Sequence, residues 1–308
     1  MAVAFVFPGQ GAQAVGMGRA LAGAFPEARA AFEEADAALG EPLSRLCFEG
    51  PESELARTAN TQPAVLATDI AAFRAVRSRT GIEPSMLAGH SLGEYAALVA
   101  GGALDFAAAV KLTRLRGREM QGAVPEGVGA MAAILGLDAT TVEAVCEEAA
   151  QGRVVSPANF NAPGQVVIAG HADAVARATD LVRLRKGKAI PLKVSAPFHC
   201  SLMEPAAERV KEALTTVELR APSVPVVSNV DASPNLEPAR IKDLLVRQVS
   251  SPVRWEESVR RMVASGVRKF VELGPGTVLA GLVRRIDRSM EVVSISDPEG
   301  VESLGGRA

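Results

Sequence analysis

The sequence predicts an α/β fold in which a large unit on a mainly parallel sheet is interrupted by a small ferredoxin-like unit. Three observations predict it. Short apolar runs stopped by glycine-rich turns alternate with long helical patterns in the first 125 residues and again near the C-terminus, which implies parallel strands covered on both faces. Between residues 126 and 194 the order changes to β-α-β-β-α-β, that of a split βαβ unit. At 308 residues, the chain has room for one large domain and a smaller insertion. The expected division is a discontinuous large unit, residues 1–125 and 195–308, with the insertion at 126–194.

Taken in order, Val3 to Phe7 is an apolar run closed by "PGQG", a buried strand ending in a tight turn. Helical patterns follow in "MGRALAGAFPEARAAFEEADAAL" and "QPAVLATDIAAFRAV". A short strand, Met86 to Ala88, leads to a glycine-flanked serine, and a helix begins near Leu92. The apolar run Met131 to Leu137 opens the insertion, followed by a helix, Thr140 to Ala150. Two strands, Arg153 to Asn159 and Gln165 to Gly170, are joined by the turn-forming "FNAPG". A helix, Ala172 to Arg185, and a last strand, Lys188 to Val194, complete it. Near the C-terminus "VRKFVELGPGTVLAGLVRRI" repeats strand, Gly-Pro-Gly turn and helix. There are no internal repeats and no low-complexity segments.

A formal net charge of −2 argues against nonspecific nucleic-acid binding, which needs a basic footprint. The three cysteines, Cys47, Cys146 and Cys200, form no CxxC pair, so a reduced compartment is expected. The opening "AVAFVF" is too short for a signal segment and follows no basic stretch. No apolar run approaches the roughly 20 residues that span a bilayer. A cytoplasmic location, no membrane partner and a monomeric state are the expectations.

The stretch "GHSLG", Gly89 to Gly93, carries the first chemistry. A serine on a sharp strand-to-helix turn needs neighbours without side chains, so that its Oγ projects freely. The helix behind it aims free N–H groups and its positive dipole end at the same point. As a bare pattern G-x-S-x-G is weak, but here a strand precedes it and a helix follows. Ser91 is thus a candidate nucleophile and the N–H of Leu92 a candidate oxyanion donor. The bland alternative is a glycine-flanked structural turn. A serine needs a base, and the chain has only three histidines. His90 adjoins the serine and should point away from it, lining the pocket or serving structure. His171 sits where a helix begins in the insertion, as an exposed terminal residue. By elimination His199, in "SAPFHCSLM" where the chain re-enters the large unit, is the candidate base.

The helix "FAAAVKLTRLRGREMQ" places Lys111, Arg114, Arg118 and Gln121 on one polar face. Arg116 lies two residues from both Arg114 and Arg118, about 200° around the helix from each. It shares its face with Ala109, Leu112 and Met120, which should be buried. A buried guanidinium calls for an anion. An internal salt bridge and a bidentate clamp for a substrate carboxylate fit the spacing equally well.

Together "FPGQGAQAVGMG", "GHSLGEYAAL", "RLRGREMQ", "NFNAPGQVVIAG", "APFHCSLM", "QVSSPVRW" and "ELGPGTVLAGL" resemble the malonyl-CoA:acyl carrier protein transacylases, relatives of the acyltransferase domains of polyketide and fatty acid synthases. The resemblance runs in order from about Val3 to Arg285. It implies an α/β-hydrolase-like large domain with a ferredoxin-like insertion, in agreement with the elements above. It also implies that Ser91 accepts the acyl group and that His199 is the general base. The group orienting the histidine is implied to be a backbone carbonyl, that of Gln248. The N–H of Gln10 is implied to join that of Leu92 in the oxyanion hole, and Arg116 to hold the malonyl carboxylate. Phe198 resembles malonyl-selective members, where its ring would crowd an α-methyl branch. Leu92 differs from the glutamine of many methylmalonyl-selective domains. Asn159 and Gln62 resemble pocket-adjacent positions.

The activity so implied is a two-step exchange from malonyl-CoA to the phosphopantetheine thiol of an acyl carrier protein. It needs no metal, nucleotide or redox cofactor, because both thioesters are substrates. The basic run Arg183 to Lys188, with Arg284, Arg285 and Arg288, is a candidate carrier surface, or simply a solvated face. A serine esterase or thioesterase is the first rival, although such enzymes carry a histidine near the C-terminus and none follows His199. A non-catalytic binding module is the second, although neither "PGQG" nor "GPGTVLAG" has the form of a phosphate-binding loop.

Overall fold

The computed structural model describes residues 2–192, 194 and 196–306. Lys193, inside the expected last strand of the insertion, and Ser195, where the large unit is expected to resume, lie outside the described residues.

Among the described residues ten strands form two sheets. In chain order they are β1 (Ala2–Phe7), β2 (Met86–Gly89), β3 (Gly129–Leu135), β4 (Val155–Ala162), β5 (Gln165–His171), β6 (Lys188–Pro191), β7 (Val226–Val227), β8 (Pro234–Asn235), β9 (Val267–Leu273) and β10 (Glu291–Ile295). The first sheet runs β10-β9-β1-β2-β7-β8. All its pairs are parallel except β7 with β8. Both faces of β1 are buried, and period-two alternation sends Phe5 and Phe7 to one core, Ala4 and Val6 to the other. Leu87 and Ala88 of β2, and Val271 and Phe270 of β9, divide between the same two cores. An apolar run without polar alternation is therefore what β1, at the middle of this sheet, requires.

The second sheet, β4-β5-β3-β6, is antiparallel throughout. One face packs Ala132, Ile134, Val166 and Ile168 against Val142, Val145, Ala178 and Val182 of the helices Ala139–Ala150 and Ala172–Leu184. The other face turns Met131, Val167 and Ala169 toward the main core. Main-chain bonds at Val253 (Phe160 N–H to its carbonyl, 2.8 Å; its own N–H to the Ala158 carbonyl, 2.9 Å) tie β4 to the connection between the helices Pro238–Gln248 and Trp255–Ala264. The antiparallel sheet thus forms one wall over the carboxyl ends of β1 and β2.

Several expected boundaries move. The helical pattern from Met17 to Leu39 is two helices, Arg19–Ala24 and Pro26–Leu39. The break falls at Phe25, which a following proline pushes into extended backbone. The last strand of the insertion ends at Pro191, short of Val194. Strands β7, β8 and β10 are additions to the sequence reading, the first two being too short to carry a periodic pattern. His171 is not an exposed terminus: it is half-buried, and its Nδ1 accepts the Val154 N–H at 3.0 Å, closing the end of β5 against the chain before β4.

Candidate active site

Phe7 lies opposite Gly89 in the parallel pair β1–β2, so the turns "PGQG" and "GHSLG" leave the same sheet edge side by side. The carboxyl end of neighbouring parallel strands is where open α/β sheets bind ligands. Ser91 takes a left-handed φ of +52°, a strained conformation held by its surroundings. Its N–H donates to Asn229 Oδ1 at 2.6 Å, and Asn229 Nδ2 donates to the Gly89 carbonyl at 2.7 Å. The flanking glycines do more than clear space for the hydroxyl. A Cβ on Gly89 would fall 1.9 Å from the Gly93 carbonyl carbon, and one on Gly93 would fall 2.0 Å from the Phe7 carbonyl oxygen. Only glycine lets the helix Gly93–Ala100 start this close to β1 and β2.

His199 reaches the hydroxyl from the other side. Its Nε2 stands 2.7 Å from Ser91 Oγ and its Nδ1 2.9 Å from the Gln248 carbonyl oxygen. A carbonyl can only accept, so Nδ1 carries the proton and Nε2 accepts from the serine hydroxyl. Burial, with the Arg116 charge adding to it, pushes the imidazole pKa down to about 3, against the upward pull of the Gln248 carbonyl. The ring is therefore neutral, the form a general base needs.

Arg116 comes from the helix Phe106–Gly122, whose N-cap Asp105 accepts the Ala108 N–H. It is 1% exposed, on a face with the buried Ala109, Leu112 and Met120. Among the described residues it forms no salt bridge to a carboxylate. Instead Nη1 donates to Gln62 Oε1 at 2.8 Å, and Nη2 donates to Gln248 Oε1 at 3.0 Å and Ser91 Oγ at 3.1 Å. The Tyr95 ring lies below it, 5.5 Å from the guanidinium carbon. Of the two readings left open by the spacing, the internal ion pair is absent among the described residues. Two neutral amide oxygens and a hydroxyl hold the cation beside the serine.

Gln10, Gln62, His90, Ser91, Leu92, Arg116, Asn159, Phe198 and His199 all line one cavity of about 110 Å³. Gln248 sits behind it, fully buried. Gln10 Nε2 donates to Thr58 Oγ1 at 3.1 Å, pinning the first turn. His90 turns away from Ser91, its Nε2 2.8 Å from Asn161 Oδ1, and burial lowers its pKa. Asn159 lies at a register shift in β4, opposite Val167. Among the described residues no acceptor takes the main-chain N–H of Gln10 or of Leu92, and no group of three or more His, Cys, Asp or Glu side chains is placed to hold a metal ion. Among the described residues no helix is long and apolar enough to cross a membrane.

Three buried polar residues of the site escaped the sequence reading. Asn229 lies in a stretch with no pattern to mark it, and Asn161 lies inside "NFNAPGQVVIAG", where it was not singled out. Glu94 did leave a sign, as the one charge in the otherwise apolar helix "GEYAALVA".

The acyl transferase domain family model matches residues 4–300. The malonyl CoA-acyl carrier protein transacylase of Escherichia coli (strain K12) is 50% identical over 299 residues, covering 97% of each chain. That of Bacillus subtilis (strain 168) is 49% identical over 302 residues, covering 97% of this chain and 95% of the relative. Among solved structures, an acyl carrier protein S-malonyltransferase from Vibrio cholerae superposes with a TM-score of 0.96 at 49% identity, over 99% of this chain and 100% of that one. A malonyl-transacylase in complex with its type II PKS acyl-carrier protein gives 0.98 at 46% identity over the whole of both chains.

Proposed function

Since the chain belongs to the acyl transferase domain family, we propose that it transfers a malonyl group from malonyl-CoA to the phosphopantetheine thiol of an acyl carrier protein. The transfer passes through a malonyl-serine and supplies extender units for fatty acid or polyketide synthesis. The observation that carries this is the Arg116 guanidinium, buried, with no carboxylate partner among the described residues, and 3.1 Å from Ser91 Oγ. A cation so placed suits an acyl group that ends in its own carboxylate.

Ser91 attacks the malonyl thioester while His199 Nε2 takes the hydroxyl proton, and the Gln248 carbonyl steadies the imidazolium through Nδ1–H. The carbonyl oxygen of the tetrahedral intermediate takes the N–H groups of Gln10 and Leu92. The C–S bond breaks, and His199 returns its proton to the CoA thiolate. The carrier thiol then enters, and the same steps run in reverse. Phe198, beside His199 in the cavity wall, is the residue that disfavours an α-branched acyl group. Two thioesters exchange one acyl group, so the chemistry calls for no metal, nucleotide or redox cofactor.

Residues 126–194 act as an inserted subdomain that closes the site over residues 1–125 and 195–308, in a cytoplasmic monomer. For the carrier surface, Arg183 and Arg185 are engaged by Asp180 and Glu148. Arg285 reaches the Pro163 and Gly164 carbonyls and so joins the two units. Lys186, Lys188 and Arg288 remain exposed as the cations for an acidic carrier.

The test mixes the protein with labelled malonyl-CoA and a phosphopantetheinylated carrier. Label on the carrier, with a malonyl adduct on the wild-type protein that Ser91→Ala lacks by intact mass, is the expected result. Free malonate in place of loaded carrier would make the protein a hydrolase, and an adduct persisting on the variant would remove Ser91 from its role.

A further inference from the structure

Glu94 has no part in the exchange above, yet it lies at the centre of the polar network behind the cavity. It is 2% exposed. Its Oε2 accepts the Asn229 N–H at 3.0 Å and the Gln248 Nε2–H at 2.7 Å. Gln248 Nε2 also donates to the Ser91 carbonyl at 2.9 Å, while Gln248 Oε1 accepts from Arg116 Nη2 at 3.0 Å. One side-chain amide thus stands between the guanidinium and a carboxyl group, its oxygen toward the first and its nitrogen toward the second. Turned over, the amide would set N–H against N–H at Arg116 and oxygen against oxygen at Glu94. Such a buried mismatch costs both of these hydrogen bonds, and with them the one to the Ser91 carbonyl, with no replacement for any of the three.

We propose that Glu94 is a positioning residue: it fixes the face of the Gln248 amide, and through it the Arg116 guanidinium, so that it sets the preference for acyl groups bearing a carboxylate. This rests on the malonyl-transfer reading. The role is separable from the support of His199, which comes from the Gln248 main-chain carbonyl. That carbonyl is carried by the helix Pro238–Gln248, whatever the side chain does. Loss of Glu94 therefore strikes the guanidinium and leaves the base in place.

The test compares kcat/KM for acylation of Ser91 by malonyl-CoA and by acetyl-CoA in wild type, Glu94→Ala, Glu94→Gln and Gln248→Met. Glu94→Ala is expected to lower the malonyl-to-acetyl ratio about ten-fold, mainly through KM for malonyl-CoA, the size of losing one buried polar partner. Glu94→Gln, which still offers an oxygen to both N–H groups, should stay within about two-fold of wild type. Gln248→Met keeps the carbonyl that holds His199 and should lower the ratio as Glu94→Ala does, with no further fall in the double variant. Equal malonyl and acetyl losses in Glu94→Ala, a ratio in Glu94→Gln as low as in Glu94→Ala, or an unchanged ratio in Gln248→Met would overturn the positioning role. A wild-type protein that forms no malonyl-serine would instead overturn the malonyl-transfer reading.

Discussion

A guanidinium keeps its charge at any pH a folded protein meets, so burying Arg116 puts a fixed positive charge where water cannot screen it. Burial draws its pKa down, and the nearby Tyr95 and Glu94 oppose that. Amide oxygens from Gln62 and Gln248 solvate it without cancelling it. On the malonyl-transfer proposal, a substrate carboxylate arriving there would gain a charge-assisted pair in a low-dielectric setting, an advantage unavailable to an acetyl group. Arg116→Ala is therefore expected to cost about 2–5 kcal/mol in kcat/KM for malonyl transfer. Acetyl transfer should fall far less, by the single bond from Nη2 to Ser91 Oγ. Matched losses on the two thioesters would give the arginine a purely structural part. Part of this residue's placement was legible in advance: helical spacing puts Arg116 on the buried face. Spacing could not say what it touches, because its partners come from residues 54 and 132 positions away.

At the scale of the element, the strand–turn–helix around Ser91 was readable because its requirements are local. A buried run, a glycine before and a glycine after the serine, and a helix start are all written within a dozen residues. The reason for the glycines was only half visible. Freedom for the hydroxyl is a sequence argument, whereas the approach of Gly93 to the Phe7 carbonyl joins residues far apart in the chain. Gly93→Ala should accordingly force β1 and the helix apart, lowering stability by about 1–3 kcal/mol and acylation of Ser91 with it. A urea midpoint shifted down at unchanged m would register this. Gly23→Ala is the control, in the helix Arg19–Ala24 with nothing within 4 Å of an added Cβ. There helix propensity alone acts, and stability should hold or rise by up to about 1 kcal/mol. What stayed illegible is of two kinds. A main-chain acceptor such as the Gln248 carbonyl has no side-chain signature, and only the family resemblance pointed to it. Two-residue strands such as β7 are made by their neighbour, here β2, and their own sequence does not announce them.

Over the whole molecule, the buried site couples folding to pH with two opposite signs. His199 has its pKa held at about 3 by burial and by the Arg116 charge, against an ordinary value of 6.5 in the unfolded chain. As pH falls through 6.5 the unfolded chain binds a proton that the fold refuses, so stability is present above 6.5 and is lost on the way down to 3. Glu94 works the other way. Burial raises its carboxyl to about 7, so its contribution is whole below the ordinary carboxylate range and is lost as pH rises through 7. Between about 4.5 and 6.5 the two slopes oppose each other, and below that window the histidine acts without this counterweight. Subtraction isolates each group from the rest of the chain's titration. The stability of wild type minus that of His199→Asn, from urea unfolding at a series of pH values, should shrink as pH falls below 6.5, by up to about 1.4 kcal/mol per pH unit. The corresponding difference for Glu94→Gln should change in the opposite sense between about 4.5 and 7. A His199 difference that is flat with pH would mean that the folded imidazole takes up its proton near 6.5, in contact with water. The neutral base that the transfer chemistry relies on would then have to come from solution pH instead of from the fold.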